Sequence, residues 1–510
     1  MGDRWNGQGR RQVAGLPTQP SRSLRWTFSP PSFPAAVVTA RLVHFASFAL
    51  MSALLLVRSE PLPTGTPRLL HGPLLGDLSA TDVVVWVAGA ETPCIDIEVR
   101  PLHLGQAQRV RISSPSAGGV GHRFQGLCPD TEYEVVLPNW SEGPARRFRT
   151  APANDTAAPV SIAFSGDIGG QGFGRDEVEG LPICAPIRAR RPDVFIGLGD
   201  MIYGDRSIPS RSRYGNRQLP LRNGLLLGRS DYDAHWRYLH DDAGFAGLLG
   251  ETSYVACWDD HECVNNFGPG DSWGLLETAR AAMLDWNPVR GPRSAPLQLH
   301  RTIRWGSHVE LFVLDCRSHR RRADLEDRDP DPKTMLGDEQ KAWLLAALAA
   351  SRATWKIVVS TVPLTAPSGD PIKGRDGWAD HASATGYERE LLELLRAMQQ
   401  LGIRRPLFLC GDVHHAEVVE LQPFADDPDF RPLEIVVGPM NAGYFARDVL
   451  DPTLRPTSWF YLDPYPPPVT LDQVKRFWNF GLLQVDAGGG IELSIVDAHG
   501  ETRFQRRLQP

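Results

Sequence analysis

Four segments of this chain run as apolar, β-rich stretches and end on aspartate: Ile162-Ala-Phe-Ser-Gly-Asp167, Val194-Phe-Ile-Gly-Leu-Gly-Asp200, Tyr254-Val-Ala-Cys-Trp-Asp259-Asp260-His261 and Pro406-Leu-Phe-Leu-Cys-Gly-Asp412-Val-His414. A lone Gly-Asp pair carries no information, because aspartate at a strand end commonly caps a turn or a helix. Four on separate strands, two of them with histidine and one with Tyr203 three residues on, are a different matter. They gather oxygen donors at the carboxyl ends of strands, which is where open α/β sheets hold ligands and what hard cations require.

The 510 residues, 42% of them hydrophobic, supply ample core for two domains. A formal net charge of -6 without a long basic stripe excludes a dedicated nucleic-acid or heparin binder, while leaving a nucleotide possible as substrate. Seven cysteines contain no Cys-x-x-Cys pair. Most read as small buried hydrophobes, thiolate-held zinc is not expected, and a single bridge between Cys94 and Cys128 stays open.

Residues 1–65 read as a poorly ordered or targeting segment. An Arg/Ser/Pro-rich start leads to an apolar stretch at 33–57 that Arg41 interrupts. Its uncharged part, 42–57, is shorter than the roughly 20 residues that cross a bilayer. Met51 is an alternative start. Cytoplasm is the default expectation, with secretion or membrane anchoring the alternative if 33–57 acts as a signal. Residues 66–152 show short period-two runs between Gly, Pro and Ser clusters, the pattern of a small β-sandwich. Within it, Leu127-Cys-Pro-Asp-Thr-Glu-Tyr133 resembles the tyrosine corner of fibronectin-III-like domains. From 158 to 510 strands alternate with amphipathic helices. Strands are predicted at 160–164, 194–198, 254–258, 309–314, 356–360, 406–410 and 434–437, helices at 337–351 and 387–401, and a closing hairpin at 482–485 and 490–496. This alternation describes an α/β domain with buried, largely parallel strands.

Taken together, Gly199-Asp-Met-Ile-Tyr203, Trp258-Asp-Asp-His-Glu262 with Asn265-Asn266, Asp315-Cys-Arg-Ser-His-Arg320, Thr334-Met-Leu-Gly-Asp-Glu-Gln340 and Gly411-Asp-Val-His414 resemble the PhoD-like alkaline phosphatases and phosphodiesterases. The resemblance runs from about Leu70 to the C-terminus. It implies a calcineurin-like metallophosphoesterase core, a four-layer sandwich of two β-sheets flanked by helices, preceded by a fibronectin-III/Ig-like β-sandwich. It also implies ester hydrolysis with iron and calcium. Under it, Asp167, Asp200, Tyr203, Asp260, Asp412 and His414 hold the metals. His261 stabilises charge or protonates the leaving alkoxide, Arg317 forks onto a phosphoryl oxygen, and Asn266 and Arg320 bind substrate.

The chain departs from the family pattern at three places. Asp167 stands where many PhoD-like proteins carry a cysteine ligand, Gly169 where the wider superfamily has histidine, and Thr361-Val362 where a metal-binding histidine is common. The resulting site is rich in oxygen, which suits two or more of Fe3+, Ca2+, Mg2+ or Mn2+ over zinc or copper. The expected substrate is a phosphate ester, either a small molecule or a phospholipid, acted on by a monomer. Two alternatives stay open: a phospholipase-type diesterase, and a non-catalytic phosphate-binding or cell-surface module.

Overall fold

The central strands are buried along their whole length. Val194–Gly197 and Ser253–Ala256 have no exposed position, and Val160–Ser165 has one that is half-buried. Parallel strands covered on both faces read as continuous apolar runs, which is why these segments show no alternation. In the computed structural model the described residues are 69–510, apart from 90–93, 104, 114–117, 139–144, 225–226, 270–273, 290–297, 329–331, 371–373 and 381–383. The apolar stretch at 33–57 and Met51 lie outside them. Among the described residues no helix is long and apolar enough to cross a membrane.

Val160–Ser165, Val194–Gly197 and Ser253–Ala256 pair in parallel at the middle of a nine-stranded sheet, which the antiparallel strands Asn479–Val485, Ile491–Asp497 and Thr502–Leu508 extend on one side. A seven-stranded sheet has the parallel centre Val309–Val313, Trp355–Val359, Leu407–Cys410 and Leu433–Val436, with antiparallel strands at both edges. One face of each sheet supplies a shared core that includes Phe164, Ile196, Val255, Leu311, Ile357, Leu409 and Ile435. On the outer face of the first sheet pack the helices Arg229–His240, Ala243–Glu251 and Leu276–Trp286 through Trp236, Phe245, Leu248 and Trp286. Gly337–Ala350 and Glu388–Gln400 cover the second through Leu344, Leu348, Leu391 and Leu395. The layers therefore run helix, sheet, sheet, helix, the arrangement that the family resemblance implies.

Ahead of this core, Leu69–Gly76, Asp82–Gly89 and Val120–Gln125 face a four-stranded antiparallel sheet across a core of Val83, Val85, Ile95, Ile97, Phe124 and Val135. The Tyr133 hydroxyl accepts a hydrogen bond from the Cys128 backbone N–H at 2.9 Å, the tie that the Leu127–Tyr133 segment suggested. Cys94 and Cys128 are both free, so no bridge joins them. Between the stretches 66–152 and 158–510, which the sequence reads as separate domains, the sheet itself does not break. Leu69–Gly76 pairs in parallel with Ser253–Ala256, and Gly65–Pro510 forms one compact unit. At the seam the Arg301 guanidinium, buried with Asp77, donates to both of its carboxylate oxygens at 2.8 and 2.9 Å and to the Ala256 carbonyl at 2.9 Å.

Removing one member of a buried pair leaves the other charge without compensation. Asp77→Ala is expected to lower stability by about 3–5 kcal/mol, and Asp77→Ala with Arg301→Met to recover a large part of that loss. Equilibrium denaturation of the three proteins gives the comparison; equal losses in the single and double variants would contradict it.

Candidate metal centre

Three of the four strand ends deliver their acid on a sharp turn of the chain. Asp167, Asp200, Asp412 and His414 all have left-handed backbone, with φ of 62, 51, 70 and 56°. Asp tolerates this region better than most residues, and clustered occupancy of it is typical of functional sites. The turns interlock through backbone bonds from Asp167 N–H to Gly199 O at 3.2 Å, Ile168 N–H to Asp200 O at 2.7 Å and Asn441 N–H to Asp167 O at 3.2 Å. Glu262 staples two of them together by accepting from the N–H groups of Asp200, Met201 and Asp259 at 3.0, 2.8 and 2.9 Å. It therefore serves the backbone rather than the centre, and burial pushes its carboxyl up to about 7.

Three groups of donor atoms, each within 4.8 Å of one another, result: Asp167 with Asp200 and His414, Asp200 with Asp260 and His261, and Asp259 with Asp260 and Asp412. Asp200 and Asp260 each belong to two groups, so the clusters are contiguous. Tyr203 joins the first, its hydroxyl 2.8 Å from His414 Nε2 and its ring stacked on His261 at 4.0 Å. Burial, followed by the neighbouring carboxylates, holds Asp167 and Asp200 well above the usual carboxylate range; burial does the same to Asp412. The Tyr203 phenol is likewise raised, first by burial and then by Asp200, and burial brings His414 down to about 4. Asp260 moves the other way. Burial opposes its ionisation, but Arg317, His261 and the Asn266 N–H outweigh it and hold the carboxyl below its ordinary value.

Asp167 is the point at which this arrangement calls for a cation. Both its carboxylate oxygens are buried and lack a hydrogen-bond partner, and the His414 Nε2 lies 3.3 Å from one of them. A carboxylate so placed must be protonated or face positive charge. With carboxylates, a phenol and an imidazole around it, the residues present fit a hard cation.

His261 is oriented by a residue that the sequence motifs do not single out. Its Nδ1 lies 2.7 Å from Asp205 Oδ1, and its backbone N–H donates to Asp200 at 3.0 Å. Burial lowers the imidazole, but Asp260 and Asp205 more than reverse this, so it keeps its proton to higher pH than a free histidine. Asp205 follows Tyr203 by two residues, so extending the Gly199–Tyr203 motif would have reached it.

Two arginines expected at the substrate are elsewhere. Arg317 is wholly buried: Nε and Nη2 grip Asp259 at 2.5 and 2.8 Å, Nη1 reaches Asp376 at 2.6 Å and Nη2 also reaches Asp412 at 3.1 Å. Four charged contacts leave no fork for a phosphoryl group, and Arg317 is instead the internal counter-charge of the outer acids. Arg320 is buried as well, bound to Asp376 at 2.7 Å and to the Asn266 carbonyl at 2.8 Å, and supports the Asn266 turn. Asp376 had no strand or motif to mark it. A cleft of about 320 Å³ opens onto the centre and is lined by Asp200, Asp260, His261, Asn266, Asp412 and His414, whereas Asp167, Tyr203, Arg317 and Arg320 do not line it.

A family model described as PhoD-like phosphatase matches residues 166–467, more than half of the chain. Alkaline phosphatase D of Bacillus subtilis (strain 168) is 26% identical over 247 residues, 44% of this chain and 41% of that protein, so less than half of the relative's length is matched. A solved structure of PhoD superposes with a TM-score of 0.63 at 19% identity, covering 86% of this chain and 88% of that one. The yellow lupin (Lupinus luteus) purple acid phosphatase PPD1 superposes with a TM-score of 0.54 at 14% identity, covering 87% and 74%. Both share the fold of this chain, and with the family match spanning every strand-end acid of the centre, the chain belongs to the PhoD-like phosphatases.

Proposed function

We propose that this protein is a metal-dependent hydrolase of phosphate esters. The observation that carries the reading is the buried, donorless Asp167 beside three contiguous cation-ready clusters that open onto one cleft. Asp167, Asp200, Tyr203, Asp260, Asp412 and His414 would hold the cations, with Tyr203 and His414 on the side suited to Fe3+ and the carboxylates suited to Ca2+, Mn2+ or Mg2+. Hard cations bound there supply positive charge to the phosphoryl oxygens and lower the pKa of water. His261, lining the cleft and with its protonated form favoured by Asp260 and Asp205, is placed to give its proton to the departing alkoxide. Asn266 offers an amide at the cleft wall, and its left-handed turn, with φ of 58°, is fixed by its N–H bond to Asp260. The β-sandwich at 66–152 is read as a fibronectin-III/Ig-like accessory module fused to this core.

Assays with para-nitrophenyl phosphate and bis-para-nitrophenyl phosphate in Ca2+, Mn2+ and Fe3+ are expected to show turnover of at least one ester; none under any metal would overturn hydrolysis, and preference for the bis ester would mark a diesterase. His261→Asn is expected to lower kcat by about 10² to 10⁴. Iron ligation by Tyr203 predicts a visible charge-transfer band that Tyr203→Phe abolishes, and an active, iron-free, colourless protein would exclude it.

Protonation linkage supplies a test that needs no substrate. Asp167, Asp200 and Asp412 are raised above their unfolded values, and Glu262 to about 7. Each contributes stability that is complete below the unfolded carboxylate value of about 4 and is lost as pH rises through its folded value. Chelator-treated protein is expected to melt at progressively lower temperature from about pH 4 to beyond pH 7. Added Ca2+ or Mn2+ should then restore more stability at the alkaline end than at the acid end; an equal gain at both would count against cation binding by these acids.

A further inference from the structure

One large apolar side chain stands in the cleft beside the acids. Phe445 is 48% exposed, its ring centroid lies 4.8 Å from that of His414, and it lines the same cleft as Asp200, Asp260 and Asp412. A singly exposed hydrophobe needs no explanation on an open surface, but one held at a cation-ready centre is informative. It is firmly held. The Phe445 N–H donates to the His414 carbonyl at 3.1 Å, and the Gly443 N–H donates to Gln171 at 3.1 Å. On the far side, the Arg447 N–H donates to the Tyr461 hydroxyl at 2.9 Å.

We propose that Phe445 is a specificity-determining residue that receives the alcohol part of the ester, and that the substrates are phosphate esters of a neutral alcohol bearing an apolar, ring-sized group. This rests on the phosphoesterase reading and names its substrate class. Three observations shape it. Ala366, Pro367, Val413 and Ala446 line the same cleft, so Phe445 has apolar company. Arg447, the arginine among the described residues of that lining, is engaged by Glu417 and lies over the Tyr461 ring at 4.4 Å, so the described lining offers no unpaired Arg or Lys to a second anionic group on the alcohol. A cleft of about 320 Å³ lies at the small end of ligand sites and suits a phosphoryl group with one ring more than a long polymer or chain.

The experiment uses binding, so that it does not depend on turnover. Metal-loaded protein is titrated calorimetrically with benzylphosphonate and with methylphosphonate, for the unmodified chain, Phe445→Ala and Phe445→Tyr. Hydrolysis of benzyl phosphate and glycerol 3-phosphate, whose leaving alcohols are both unactivated, is measured alongside. Phe445→Ala is expected to weaken benzylphosphonate about ten-fold relative to methylphosphonate and to lower the benzyl-to-glycerol ratio of kcat/KM by a similar factor through KM, while Phe445→Tyr retains both. Equal losses for both ligands in Phe445→Ala would show that the ring only supports His414, and would overturn the proposal. If neither phosphonate binds and neither ester is cleaved by the unmodified protein, the phosphoesterase reading itself fails. If the unmodified protein shows no benzyl preference while both ligands bind, the specificity assignment alone fails.

Discussion

Negative charge crowded out of water is the constraint that organises this molecule. Asp167, Asp200, Asp259, Asp260, Asp376 and Asp412 approach one another where solvent screening is weak, and an acid there ionises only against a matching positive charge. Arg317 supplies that charge for four of the six, pairing with Asp259, Asp260, Asp376 and Asp412 through one planar group. Its reach ends before Asp167 and Asp200. The chain thus neutralises the outer acids with a cationic side chain of its own and leaves the inner pair to a proton or a bound cation. That asymmetry, more than the number of acids, turns a cluster into a site.

Two sheets are needed to make it. Asp167, Asp200 and Asp259-Asp260 leave strands of the first sheet, and Asp412 leaves Leu407–Cys410 of the second. The apolar core between the sheets fixes their spacing, so the acids are brought together by hydrophobic packing that they themselves oppose. Left-handed turns and the Glu262 staple then aim side chains that the strands only deliver. Much of the local strain lies in these few residues, and the regular elements beneath them hold it.

The sequence was legible where local chemistry dictates the outcome. Val194-Phe-Ile-Gly, buried on both faces, had to read as apolar, and the leucines of Glu388–Gln400 repeat at helical spacing because one face packs on the sheet. The strand-end acids were visible for the same reason, as polar residues placed next to core. What escaped depended on contacts distant in sequence. In Asp315-Cys-Arg-Ser-His-Arg-Arg-Arg322 nothing local says that Arg317 and Arg320 turn inward while Arg322 pairs with Asp324 at the exposed surface. Asp376, in an irregular loop, acquires meaning only from the two arginines it binds. The seam was hidden likewise, since the pairing of Leu69–Gly76 with Ser253–Ala256 joins strands far apart in the chain.

Asp167 brings these strands of argument to one residue. By sequence it looks like a departure, a carboxylate in place of a family thiolate. Its surroundings show accommodation instead: Gly438 has φ of 112°, and a Cβ there would fall 2.3 Å from Asp167 Oδ2. Any larger residue at 438 would press on that oxygen, so the backbone on the far side has been cleared for it. Asn441 N–H holds the Asp167 carbonyl and Met440 N–H the Gly166 carbonyl, fixing the turn from the same segment. A residue with its own left-handed turn, its own glycine clearance and no hydrogen-bond donor on either carboxylate oxygen is built to present that carboxylate to something outside the chain. A carboxylate oxygen at this position is a hard donor, and its placement depends on the backbone at 438 as much as on the side chain at 167.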